Sequence, residues 1–179
     1  MTLQPSSFMA ILGDREALGW VLREQKMAFG PERWRLWRSL KQGDALALYT
    51  TRQCFRNPTR DRGRVIASAI IASPLQELEM PIEFRKRPYN FYCDLKIDQL
   101  APWGQGPELV TMVSELKTFP SAWGSHIRRS LVQLDEHDYG VLTRALAMEA
   151  TTRDEALDGY LARALPLQPK GRPARKVSQ

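Results

Sequence analysis

Two hydrophobic periods run along this chain. Phe8–Leu12 (FMAIL) is a short apolar run that predicts a buried strand, and Gly13-Asp14 ends it. Asp14 is then placed to cap a helix running to about Lys26, in which Ala17, Leu18, Val21 and Leu22 share one apolar face, with Trp20 at its margin. The segment 29–40, FGPERWRLWRSL, sets Trp34 and Trp37 three apart among Arg33, Arg35 and Arg38. As a helix it puts both tryptophans on one face; as an extended stretch it points them apart. Residues 45–49 of ALALYTT predict a strand introduced by Gly43-Asp44, and VIASAIIAS (65–73) predicts a second strand, stopped by Pro74. Residues 77–86 are expected to be extended around Pro81. The clearest alternation in the chain follows, with Tyr89, Phe91, Cys93, Leu95 and Ile97 at period two.

Farther on, APWGQGP (101–107) predicts a loop holding Trp103. Leu109, Met112, Val113 and Leu116 fit a short helix, with an extended alternative left open. Trp123-Gly124-Ser125 opens a turn, Leu131–Leu134 predicts a short strand, and Asp135 with Asp138 predicts a capped helix over about 136–150. A shorter helical piece covers 153–164. From Leu165 onward the chain has three prolines and no acid, and is expected to be a flexible basic tail. Helix, several strands, then helix is not an alternating βαβ order. It predicts an α+β domain or a small mixed barrel, with a single domain over 5–165 and the tail over 166–179.

Charge refines this picture. The 179 residues carry a net +6, but Arg163–Gln179 contributes five basic residues and no acid, so residues 1–162 are close to neutral at +1. The body is uneven: residues 23–64 hold eleven basic and four acidic residues, and residues 135–158 hold two basic and seven acidic. Such asymmetry steers a polyanion toward one face. The N-terminus does not read as a signal peptide and no apolar run reaches the length of a membrane span, so the expected compartment is the cytoplasm.

Enzymatic signatures are scarce. The sequence has no Walker loop, no G-x-G-x-x-G, no H-E-x-x-H and no C-x-x-C, and its only histidines are His126 and His137. No cofactor and no metal site is expected. Cys54, between Arg52 and Arg56, has cations that would lower a thiol pKa; the preferred reading is a semi-buried cysteine beside Phe55.

What stands out is an interleaving of aromatic and basic residues: Trp34, Arg35, Trp37 and Arg38, then Tyr49, Thr50, Arg52, Phe55 and Arg56. Aromatic rings stack on unpaired bases and arginines hold phosphate. A pocket that extracts a base also needs polar groups for its edge, which Thr50, Thr51, Asn57 and Ser125 are able to supply.

The order of these features carries a resemblance. Trp37-Arg38 precedes Gly43-Asp44; the strand ALALYTT, Phe55, the strand RVIASAIIAS (64–73), Pro81 and the Tyr89 strand follow; the last part brings Leu116, Phe119, Trp123-Gly124, Arg128 and LVQLDEHDYGVL. Over about residues 7–150 this resembles the EVE domains of the PUA-like superfamily, with the ASCH domains as second choice. The resemblance implies a mixed β-barrel flanked by helices with a pocket beside it, and a reader of modified bases in DNA or RNA. Relatives of the ASCH type include RNA binders and hydrolases of modified nucleosides. Carried over, Tyr49, Thr50 and Thr51 match the pocket-side strand, Phe55 the following loop, and Trp123, Gly124 and Ser125 the late loop. The 52–64 loop departs from the pattern in being longer and rich in arginine, and the first strand lacks a tryptophan near its start.

The expected function is non-catalytic binding of nucleic acid at a modified or flipped base. Trp37, Tyr49, Thr50, Phe55, Trp103, Trp123 and Ser125 are expected to form the base pocket. Arg52, Arg56, Arg60, Arg62, Arg64 and Arg128 are expected to hold phosphates. The alternatives are an enzyme acting on a modified nucleoside or nucleotide in the same pocket, and a protein-interaction module.

Overall fold

The computed structural model describes residues 5–119 and 123–164, the side chains of Arg33 and Trp34 excepted. The tail expected from 166 onward lies outside the described residues. In chain order the elements are β1 (Ser7–Leu12), α1 (Arg15–Glu24), β2 (Lys26–Phe29), α2 (Trp34–Trp37), β3 (Ala45–Thr50) and β4 (Arg64–Ile71). There follow β5 (Gln76–Phe84), β6 (Arg87–Leu100), α3 (Leu109–Met112), β7 (Leu131–Leu134), α4 (Glu136–Ala147) and α5 (Arg153–Ala164). Short 3₁₀ turns cover Pro31–Arg33, Val113–Glu115 and Trp123–Arg128.

The strands form one mixed sheet in the order β2-β6-β4-β3-β1-β7, with β5 also paired to β6. β1 and β3 run parallel and the other pairs antiparallel. The 14-residue β6 is the hinge of this arrangement. Its first half pairs with β2 and β5, and its second half with β4. Register shifts at Leu48/Tyr49 and Ser68/Ala69 add local twist, and the sheet curls into a half-barrel flanked by helices. This is the α+β arrangement that the order of elements predicts, and it matches the PUA-like barrel flanked by helices that the resemblance implies. No helix among the described residues is long and apolar enough to cross a membrane.

Strand alternation sorts the core into two clusters. Phe8, Ala10, Leu12, Leu46 and Leu48 face one side, under α1 and α5. Met9, Ala47, Tyr49 and Val65 face the other, under α3 and α4. α1 and α5 approach closely because Gly19 has no side chain: a Cβ there would run into the Ala164 methyl. Arg153 of α5 donates to the Leu22 and Arg23 carbonyls at 2.7 and 2.6 Å, closing the C-terminal end of α1.

The Gly43-Asp44 pair has a structural role. Gly43 takes φ +93°, a conformation that favours glycine, and its N–H donates to Ile71 O at 2.8 Å. The buried Asp44 carboxylate accepts from Ser6 N at 2.9 Å and Lys41 N at 2.8 Å, joining the start of β1 to the turn before β3. β2 was not anticipated from the sequence; it follows Gln25, whose φ of 50° turns the chain straight out of α1 into a strand.

Candidate functional site

At the C-terminal end of β1 the chain turns through Gly13 into α1. Asp14 caps that helix, its Oδ1 accepting from Glu16 N at 2.9 Å and Ala17 N at 3.0 Å. Its Oδ2 pairs with Arg85 Nε at 3.2 Å, across to the turn between β5 and β6. Between α1, β2, α2 and this hairpin lies a cavity of about 530 Å³. Five aromatic side chains wall it: Trp20, Phe29, Trp37, Phe84 and Tyr89. Phe29 and Trp37 lie with ring centroids 4.0 Å apart, while Trp20–Phe84 and Phe84–Tyr89 meet edge to face at 5.8 and 5.3 Å. Within this wall Phe29, Trp37 and Phe84 are buried, and Trp20 and Tyr89 are half-buried. Asp14, Glu32, Arg87 and Ser130 add polar groups.

The rim is cationic. The hairpin turn places Arg85 and Lys86 at φ 50° and 63°, the pair of left-handed residues of a type I′ turn, in which Asn-Gly is the favoured sequence. Arg85, Lys86 and Arg87 are all exposed beside the cavity mouth.

The residues expected from the sequence are distributed over three places. Trp37 lines the aromatic cavity. Thr50, Phe55 and Trp103 meet instead in a second cleft of about 310 Å³, together with Arg60, Asp61, Arg62, Arg64 and Tyr160. Tyr49 points to the opposite face of β3 from Thr50 and is buried in the second core cluster, where burial pushes its hydroxyl up to about 12 against the pull of Arg52. Trp123 packs against that same cluster, and Ser125 sits beside His126 Nδ1 at 3.4 Å.

The arginines divide in the same way. Arg64 is held in place, donating to Gly106 O at 2.6 Å and Glu108 Oε1 at 3.0 Å. Arg52 donates to Pro58 O at 3.1 Å. Arg56, Arg60 and Arg62 are exposed, and Arg128 is exposed on the 3₁₀ turn after Trp123. Sequence reading missed Asp14, Tyr89 and the 85–87 turn as site residues and gave Trp20 only a marginal packing place.

The two cavities are neighbours. β1 and β3 are paired at Leu12 and Thr50, and Thr51 N donates to Leu12 O at 3.0 Å. Cys54 lies between them, buried. Desolvation, then the charges of Asp14 and Asp61, push its thiol up to about 12, so the sulfur is held as the protonated thiol at neutral pH.

Asp135, His137 and Asp138 bring possible ligand atoms within 4.8 Å of one another at the start of α4. Their hydrogen bonds explain the grouping without a metal. Asp135 Oδ1 caps the helix, accepting from Asp138 N at 2.7 Å, and Asp138 accepts from Lys117 N at 2.9 Å and Thr118 N at 2.6 Å. Burial pushes the Asp138 carboxyl up, but hydrogen bonds from the Thr118 side chain, the Lys117 amide, His137 and the Thr118 amide outweigh it and bring it down to about 2.

No family model and no curated protein matches this chain. Solved structures do. The Pho92 YTH domain, solved in complex with m6A, superposes with a TM-score of 0.54 at 9% identity, over 85% of this chain and 91% of that one. The Mmi1 YTH domain, solved in complex with RNA, gives 0.53 at 11% identity, over 79% and 77%. Rpa0253 from Rhodopseudomonas palustris gives 0.52 at 13% identity, over 80% and 94%. The chain therefore shares the fold of the YTH domains, a PUA-related half-barrel flanked by helices.

Proposed function

We propose that this protein is a non-catalytic nucleic-acid-binding module that takes one modified or flipped base into the aromatic cavity. The carrying observation is the five-aromatic wall beside a cationic turn, at the mouth of a cavity of about 530 Å³. Two fold neighbours support it, one solved with RNA and one with m6A. The half-burial of Trp20 and Tyr89 leaves ring surface for a base, with Trp37 buried in the same wall. Glu32 and Ser130 offer polar groups to the base edge, and Arg85, Lys86 and Arg87 lie where flanking phosphates would pass. A non-catalytic role fits the hydrogen bonding of Asp14, whose two oxygens are occupied by the helix cap and by Arg85. Within the superfamily the sequence features favour the EVE type.

The test is a binding screen of single-stranded DNA and RNA oligonucleotides, with and without modified bases, against wild type and Trp20→Ala. Loss of one stacking partner is expected to cost about 1–3 kcal/mol. Equal binding by the variant, with the fold intact, contradicts the proposal.

A further inference from the structure

The second cleft has chemistry that packing does not explain. Asp61 Oδ2 and Trp103 Nε1 are both buried with no hydrogen-bond partner, and both residues line the cleft. Buried polar atoms are normally satisfied, so an acceptor and a donor left open in one cleft point to a ligand that supplies the complementary pair. Phe55 and Trp103 meet edge to face at 5.8 Å in the same cleft. The indole is held in place: Arg163 lies 3.7 Å from its ring centroid, and Gly159 of α5 leaves it room, since a Cβ there would approach Trp103 Cβ to 3.2 Å. Arg60 and Arg62 are exposed at the mouth and form no ion pair among the described residues.

We infer that this cleft is a second nucleotide subsite, taking an unpaired neighbouring nucleotide of the strand whose modified or flipped base fills the aromatic cavity. This rests on the proposed nucleic-acid function. The base packs against Phe55. An exocyclic amino group donates to Asp61 Oδ2, a ring nitrogen or carbonyl accepts from Trp103 Nε1, and Arg60 and Arg62 meet the phosphate. Adenine, cytosine and guanine each carry an amino group beside an acceptor; uracil and thymine do not. The parallel pairing of β1 with β3 sets Leu12 of the first cavity and Thr50 of the second side by side at the same end of the sheet, the arrangement that neighbouring nucleotides of one strand require.

The experiment compares full-length wild type, Trp103→Phe and Asp61→Asn, using oligonucleotides that keep one base for the aromatic cavity and vary its neighbours among A, C, G and U. Trp103→Phe keeps an aromatic ring but removes the N–H donor together with part of the ring area, while Asp61→Asn keeps the side-chain shape and removes the carboxylate. Trp103→Phe is expected to bind amino-bearing neighbours about fivefold more weakly and to leave binding of the isolated modified nucleoside unchanged. On adding the strand to wild type, the Trp103 indole N–H resonance, assigned by its absence in Trp103→Phe, is expected to shift downfield. If wild type binds the strand but neither variant changes affinity or neighbour preference, and that resonance stays still, the second subsite is refuted and the first stands. If wild type binds no strand at all, both fall.

Discussion

The hairpin turn offers a test in which stability and binding move in opposite directions. Arg85 and Lys86 occupy left-handed backbone, where a side chain with a Cβ costs about 1 kcal/mol or more relative to glycine. Replacing the pair by Asn-Gly gives the turn its favoured sequence and relieves about 1.5 kcal/mol of this cost. The replacement also removes the Arg85–Asp14 ion pair. Arg85 is half exposed there, so the pair is worth about 0.5 kcal/mol. The net expectation is a gain of about 1 kcal/mol. With a urea slope of about 2 kcal/mol per molar, the unfolding midpoint rises by about 0.5 M. The same change removes two cations from the cavity rim. For a single strand each phosphate contact contributes about 0.7 to the slope of log affinity against log salt, so the slope falls by about 1.4. Urea unfolding and a salt titration on one preparation read both. A destabilised variant refutes the account of the turn, and an unchanged salt slope refutes its placement beside the bound strand.

Three further outcomes follow from the same contacts. Asp14→Ala loses the cap and the ion pair and is expected to cost about 1.5 kcal/mol in urea unfolding, whereas Asp14→Ser keeps a capping oxygen and costs about 0.5 kcal/mol; equal losses would show that Asp14 does not act as a cap. Asp44→Ala leaves Ser6 N and Lys41 N without their acceptor and is expected to cost about 2–3 kcal/mol, with the unfolding slope unchanged. The Asp138 carboxyl is lowered from 3.8 to about 2, so its stabilisation is complete above pH about 4 and disappears as pH falls toward 2. The loss is about 2 kcal/mol, and Asp138→Asn flattens that acid limb in pH-dependent thermal unfolding.

Much of the fold was legible because it depends on local alternation. The period-two run Tyr89 to Ile97 is the middle of β6, and Asp14 and Asp135 cap the helices they were expected to cap. β2 escaped because four residues carry too little pattern, and the left-handed Gln25 that launches it has no sequence signature of the glycine kind. The aromatic cavity was harder to read. Its walls come from positions 20, 29, 37, 84 and 89, which only the pairing of β2 with β6 and the β5–β6 hairpin bring together. Local interleaving of aromatics with arginines pointed instead to the 52–64 loop, which builds the second cleft. One feature was readable from the start. Adjacent strand residues face opposite sides, so Tyr49 and Thr50 are not able to line one pocket.

The most direct measurement of the central claim is the set of nuclear Overhauser effects between base protons of a bound modified-base oligonucleotide and the aromatic protons of the protein. The account predicts contacts from the modified base to Trp20 and Tyr89. A base that instead shows its contacts to Trp123 or to the surface around Arg128, with none to the Trp20 and Tyr89 rings, contradicts it.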